Sequence, residues 1–199
     1  MLLLDLAGPP RCAACGVLGH VLCARCRDEL VVCPPLDPLP PLARLSAAWL
    51  YESAARSLVL GLKLGALRTR AGPLAEAMCT SAWRDGIAGD VVTWVPGNLA
   101  EARRRGYDHG EVLARLVAAR LGMPVTSLLA PGGAKADQTA LSGAQRRENP
   151  KGAFVARPVH GRVVLVDDVM TTGTTICTCA GALLKAGATA VEGLVGCRA

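Results

Sequence analysis

The sequence predicts an α/β protein, a parallel β-sheet flanked by helices, with a small cysteine-bearing module at the front. Three observations carry this. Strand-like and helix-like runs alternate along the chain, the order that builds parallel sheets joined by right-handed crossovers. Val163-Val164-Leu165-Val166 is a run of apolar β-formers that reads as a buried strand, and a Thr/Gly loop after it opens an apolar helix. Five of the nine cysteines fall before residue 34, and four of them are paired by spacing.

At 199 residues the chain holds one α/β core and a small appendage, and its apolar fraction of 51% suffices for that core. Net charge is +6, a moderate excess that suits phosphorylated partners. Residues 100–162 carry eleven Lys/Arg against five Asp/Glu, which reads equally well as a solvated basic surface. Met1 to Leu6 is apolar, but it has no basic flank, is cut by Asp5 and runs into Pro9-Pro10, a poor signal peptide. No apolar run approaches the ~20 residues that span a bilayer. The expectation is a soluble cytoplasmic protein without membrane insertion, whose thiols stay reduced.

Cys12-x-x-Cys15 and Cys23-x-x-Cys26 have the spacing that lets each pair reach one ion from a tight turn, and two pairs complete a tetrahedron. Gly16 stands where such a turn needs a positive φ. Four thiolates leave no open position, so the expected ion is structural Zn²⁺. A disulfide pair or a redox CxxC is the alternative. His20 and Cys33 read as bystanders, and Cys79, Cys177, Cys179 and Cys197 as small buried hydrophobes.

Residues 1–33 therefore form a zinc module, and 34–41, with five prolines, a linker. Residues 42–199 form the main domain, with a hood-like helical part over 42–90 and a core over 91–199. Within it the pattern predicts a short strand at Trp49-Leu50-Tyr51 and a helix over 54–64 with Arg56 and Lys63 on its polar side. A helix over 72–82 follows, opened by Pro73 in its first turn. Val91 to Val95 is a buried strand broken by Pro96-Gly97-Asn98, and a helix runs over 110–121. Pro124 to Leu128 reads as a strand, 131–152 as a long polar stretch, 174–186 as a helix ending at Gly187, and 190–195 as the last strand.

Two loops leave C-terminal strand ends, where open parallel sheets bind ligands. After Val166 stand Asp167-Asp168 and then Thr171-Thr172-Gly173-Thr174-Thr175. Amides and hydroxyls at a helix start suit a phosphate, and two carboxylates accept hydrogen bonds from neighbouring hydroxyls. A ribose 5-phosphate offers both groups. The plainer reading is a capped turn with two strand-end acids. The other loop carries Arg103-Arg104-Arg105, of which Arg103 or Arg105 is expected to reach the crevice and bind diphosphate. His109 reads as a solvated residue. The stretch from Gln138 to Phe154 is a candidate lid.

The thirteen-residue run Val163 to Thr175 resembles the PRPP-binding motif of type I phosphoribosyltransferases. The chain as a whole resembles the ComF family, a competence-associated group with an N-terminal zinc module. The resemblance rests on the paired cysteines, the Tyr51…Lys63…Gly65 segment, Val95-Pro96 through Arg105-Gly106-Tyr107, Gln138…Arg147…Asn149…Ala153-Phe154, and the Val163–Thr175 run. Asp108-His109 departs from the family's Asn-Gln, and Thr93-Trp94-Val95-Pro96 from its Val-Pro-Val-Pro. The resemblance implies a type I phosphoribosyltransferase-like fold and displacement at ribose C1 of PRPP, with pyrophosphate leaving. In that reading Asp167 and Asp168 are the catalytic pair on the ribose hydroxyls. Thr171, Thr172, Gly173, Thr174 and Thr175 cradle the 5-phosphate, and Mg²⁺ arrives with PRPP, held largely by ligand oxygens and water. The alternative is a non-catalytic module of DNA uptake that binds single-stranded DNA or a DNA-import helicase. Asp168→Asn is expected to weaken PRPP or nucleotide binding while leaving the fold intact; unchanged binding in calorimetry contradicts the assignment.

Overall fold

The computed structural model describes residues 9–64, 68–132 and 154–199. Its centre is a four-stranded parallel sheet of β1 (Arg44–Leu50), β6 (Ala190–Arg198), β5 (Arg162–Met170) and β2 (Val91–Trp94), in that order across the sheet. The helices are α1 (Ala24–Asp28), α2 (Ser53–Lys63), α3 (Ala71–Asp85), α4 (Leu99–Arg105), α5 (His109–Leu121) and α6 (Thr174–Lys185). A separate antiparallel ribbon pairs β3 (Leu129–Pro131) with β4 (Phe154–Ala156). The predicted class, a parallel sheet flanked by helices behind an N-terminal cluster of four cysteines, is the class observed.

Successive side chains of a strand point to opposite faces, so β5 divides the core. Val164 and Val166 pack with Leu58, Leu74, Met78 and Leu113 of α2, α3 and α5. Val163 and Leu165 pack with Ile176, Cys179 and Leu183 of α6. Continuing that alternation, Asp168 falls on the α2/α5 side and Asp167 on the α6 side.

Several boundaries differ from the sequence reading. Strand β1 starts at Arg44, because parallel pairing with β6 carries Leu45, Ser46, Ala47 and Ala48 into the interior despite modest β-propensity. Strand β5 runs on through both acids to Met170, since β6 supplies partners as far as Arg198. The expected strand at 124–128 shrinks to one bridge, Val125 beside Val92. Pro124 has no N–H to give, and the amide of Leu128 donates to Thr93 Oγ1 (3.2 Å). Helix α3 extends to Asp85 and closes on Gly86 in the left-handed conformation. The three arginines of the loop after β2 stand in the last turn of helix α4, not at the start of a helix. The polar stretch at 133–153, which holds the candidate lid up to Phe154, and Gly65 lie outside the described residues.

The front module is packed onto the domain. Cys12, Leu22 and Cys26 join the core on the α2/α3 side. The amide of Leu50 donates to the Val31 carbonyl (2.9 Å) and that of Cys33 to the Ala48 carbonyl (3.0 Å), so residues 31–33 edge the sheet beside β1. The proline-rich segment then crosses to the other face, where Leu36 and Leu39 pack against the α6 core. Cys79, Cys179 and Cys197 are buried as expected, while Cys177 is only partly so. Burial pushes the Cys179 and Cys197 thiols up to about 12. No helix among the described residues is long and apolar enough to cross a membrane.

Candidate functional site

The crossover after β5 goes through α6 on one face, and the connection after β2 goes through α5 on the other. Adjacent strands whose connections part to opposite faces leave a crevice between their C-terminal ends. The two loops singled out in the sequence are the ones that border it.

On the α6 side, Asp167, Val169, Met170 and residues 171–176 line a hollow of ≈ 50 Å³. Gly173 turns the chain at φ 80°, a conformation side chains rarely adopt, and lies against Leu39 of the proline-rich segment. Gly173 is also the N-cap of α6 and has no side chain to cap it; the Thr174 amide donates to Thr172 Oγ1 at 3.4 Å. Those amides have no intrahelical acceptor and carry the positive end of the helix dipole. Thr172 Oγ1 lies 2.9 Å from Thr174 Oγ1, so the two hydroxyls share the rim. Beneath the loop the Arg198 guanidinium donates to the carbonyl of Thr171. Nothing in the sequence pattern marked Arg198, which comes from the end of β6.

On the α2/α5 side, Asp168 is 2% exposed and has two partners. Lys63 Nζ lies 2.8 Å from Oδ1, and His109 Nε2 lies 2.9 Å from Oδ2. Arg105 is buried beside them. Its guanidinium donates to the Lys63 carbonyl (2.6 Å), pairs with Glu101 (3.1 Å) and stands 3.4 Å from His109 Nδ1. Because guanidinium is only a donor, Nδ1 is the acceptor in that contact, while Nε2 stands beside Asp168 Oδ2 without completing a hydrogen bond to it. Asp108 caps α5 by accepting from Gly110 N (2.8 Å) and reaches the Trp94 indole N–H (3.3 Å), tying the loop after β2 to the same helix start. Tyr107 donates to the Leu62 carbonyl (2.6 Å), with Arg68 stacked 4.6 Å over its ring.

Several expectations change here. His109 is not solvated: its side chain is 13% exposed and touches Asp168. Among the three arginines, Arg105 turns inward, whereas Arg103 and Arg104 are exposed. Lys63 leaves the polar side of α2 for the strand end. Sequence reasoning passed over Lys63 and His109 as site residues, although Lys63 stood in the Tyr51…Lys63 segment. The acids do not share one hollow. Asp167 faces the threonine loop, and Asp168 faces the cations across the strand.

Their protonation differs accordingly. Burial, reinforced by the Asp168 charge, pushes the Asp167 carboxyl up to about 7. Burial also opposes ionisation of Asp168, but the His109 contact and the Lys63 ammonium outweigh it and hold Asp168 below the usual carboxylate range.

At the front, the Sγ atoms of Cys12, Cys15, Cys23 and Cys26 all lie within 4.8 Å of one another. Those of Cys15 and Cys23 are 3.7 Å apart. Four ligands at a Zn–S bond of about 2.3 Å stand about 3.8 Å apart at the corners of a tetrahedron. The donor set thus fits such an ion. Gly16 has the expected positive φ, 77°. Among the described residues, this tetrad alone brings three or more metal-ligating side chains together. Among the described residues, Asp167 and Asp168 belong to no group of three or more metal-ligating side chains.

Fold and site together define a parallel α/β protein with a threonine-lined helix start and two strand-end acids at its switch point. The chain is 32% identical to the DNA utilization protein YhgH of Escherichia coli (strain K12) over 202 residues, covering 95% of this chain and 83% of that protein. It is 31% identical to the protein of the same name from Salmonella typhi, with 94% and 83% covered. The chain belongs to the family of the DNA utilization protein YhgH. No family model matches it. Among solved structures, the allosteric regulatory enzyme of purine biosynthesis aligns with 64% of this chain and 26% of its own, at 24% identity and a TM-score of 0.45. Orotate phosphoribosyltransferase from Aeropyrum pernix aligns with 70% and 62%, at 21% identity and a TM-score of 0.43. Both similarities are weak.

Two outcomes follow from the acid pair. Asp168→Asn reaches the fold as well as any ligand, because it removes the charge that neutralises Lys63 in a buried setting. A loss of about 2 kcal/mol in urea unfolding is expected. For Asp167, the native pKa stands above its ordinary value of 3.8, so the native state binds the extra proton between those limits. Stability therefore falls as pH rises through that window. Wild type should lose more melting temperature from pH 5 to pH 8 than Asp167→Asn does. Equal losses contradict the assignment of a raised carboxyl to Asp167.

Proposed function

We propose that the crevice binds the ribose 5-phosphate portion of PRPP or a nucleotide, and that the protein is a ComF-type phosphoribosyltransferase that releases pyrophosphate. One observation carries this reading: Asp167 and the 171–175 loop line a single hollow at the switch point. In it, the first amides of α6 and the hydroxyls of Thr172 and Thr174 take the 5-phosphate, with Thr171, Gly173 and Thr175 shaping the loop. Asp167 and Asp168 stand at the strand end as acceptors for the ribose hydroxyls. The bond from C1 to the pyrophosphate oxygen breaks with its electron pair leaving on oxygen, and an acceptor nitrogen closes on C1. Positive charge develops on the ring in between, and the nearby carboxylates stabilise it. Mg²⁺ in this reading comes with PRPP on ligand oxygens and water, and none of the steps assigned to the chain depends on it.

A second reading draws on the relatives' name, DNA utilization protein. The exposed Arg103 and Arg104 on α4 suit a phosphate backbone, and a single-stranded DNA or DNA-import helicase partner fits that role in a cytoplasmic protein. Salt titration of a labelled oligonucleotide separates the two: affinity falling steeply with salt, without pyrophosphate release from PRPP, favours the second.

The enzymatic reading expects PRPP binding by wild type and pyrophosphate release with at least one member of a base panel. Asp167→Asn should bind PRPP about tenfold more weakly, the scale of one charge-assisted hydrogen bond. Absence of both binding and release contradicts it.

Cys12, Cys15, Cys23 and Cys26 are assigned to structural Zn²⁺, which holds residues 9–33 as a unit against α2, α3 and β1. Because Cys12 and Cys26 lie in the shared core, the metal supports the domain as well as the module. Zinc content near one per chain is expected, with chelation lowering the melting temperature by about 5 °C or more. A chain without zinc that melts unchanged overturns the assignment.

A further inference from the structure

Lys63 is the member of the Asp168 network that is free to leave it. His109 is held on its far side by Arg105 and is 13% exposed, whereas the Lys63 side chain is 32% exposed and ends a flexible stem at the last residue of α2. In the structure Lys63 Nζ lies 2.8 Å from one oxygen of Asp168, His109 Nε2 stands 2.9 Å from the other without completing a hydrogen bond, and the carboxylate is closed to solvent. Oδ2 keeps acceptor capacity, so what bars a ribose hydroxyl from Asp168 is enclosure, and it lifts when Lys63, the more exposed neighbour, moves aside.

The placement of the two acids says what would draw Lys63 away. Asp167 and the threonine loop lie on the α6 side of β5, and Asp168 with its cations lies on the α2/α5 side. A ribose 5-phosphate seated with its phosphate on the α6 amides lies across the strand end. Its C1 and whatever C1 carries then stand on the side of Lys63 and Arg105.

We propose that Lys63 is the cation that receives the C1 pyrophosphate of the ligand, exchanging Asp168 for it and thereby opening Asp168 to the ribose hydroxyls. This rests on the reading of the crevice as a ribose-phosphate site and adds a partner exchange to it. In the free protein Lys63 closes the acid, and a ligand with dense charge at C1 opens it. Ribose 5-phosphate lacks that charge and leaves Lys63 where it is. The exchange breaks and forms only ion pairs, with no covalent step.

The test compares PRPP and ribose 5-phosphate on the full chain, for wild type, Lys63→Met and Lys63→Arg, by titration calorimetry with melting curves as a check on folding. PRPP should bind wild type at least tenfold more tightly than ribose 5-phosphate. Lys63→Met should lose most of that preference through weaker PRPP binding, while its affinity for ribose 5-phosphate stays within about twofold or rises as Asp168 is released. Lys63→Arg, which keeps a cation, should restore most of the preference. A purely structural role for Lys63 weakens both ligands together, and that result overturns the inference. So does a full PRPP preference in Lys63→Met. Should Lys63→Met melt before the titration is complete, Lys63→Arg decides: a preference lost despite a retained cation and fold counts against the exchange. Failure of wild type to bind either ligand removes the crevice reading and this inference with it, whereas wild-type binding with an unaffected Lys63→Met removes this inference alone.

Discussion

The buried carboxylate of Asp168 is the constraint on which the site's arrangement depends. It joins the end of β5 to the end of α2 through Lys63 and to the start of α5 through His109. Arg105 then ties α4 to both, by its bond to the Lys63 carbonyl and its position at His109 Nδ1. Four elements separated in sequence are thereby referenced to one strand end. A charge so enclosed is tolerated only with cations against it, and breaking such a set costs several kcal/mol. The same feature explains why α2 lies across the strand ends. It starts three residues beyond β1, at the sheet's edge, and finishes two strands away, at β5.

The opposite face is organised differently. There the hollow is made of backbone and hydroxyl groups, and its shape depends on contacts from far away in the chain. Leu39 presses on Gly173 from the proline-rich segment, and Arg198 holds the Thr171 carbonyl from the end of β6. A hollow of amides and hydroxyls on one face and an ionic set on the other are the two features on which the proposed ribose-phosphate reading rests. The proline-rich segment, expected to separate the module from the domain, instead runs from one face to the other and packs on both the strand edge and the loop.

Much of this was legible in the sequence, for identifiable reasons. Val163 to Thr175 combines an apolar run with a Thr/Gly loop ahead of an apolar helix, so strand, loop and helix were readable, though not the strand's course through both acids to Met170. The cysteine spacing specified its own geometry. What escaped depends on partners distant in sequence. Arg44 to Ala48 is a strand because β6 lies beside it, not because Ser46 and Ala47 favour one. His109 looked solvated since nothing local hides it; burial comes from Asp168, 59 residues later, and from Gly97 packed near its ring. Lys63 sat on an amphipathic helix as any surface lysine would. The two neighbouring aspartates were read as one unit, although alternation along a strand sends them to opposite faces.

The central claim is that a ribose phosphate lies across the end of β5, between the threonine loop and Asp168. A crystal structure of the full chain with PRPP bound tests it most directly. The account predicts the 5-phosphate on the first amides of α6, ribose hydroxyls at the strand-end acids, and Lys63 moved from Asp168 to the pyrophosphate. A phosphate group bound elsewhere, with the 171–175 loop empty and Lys63 still on Asp168, would contradict it.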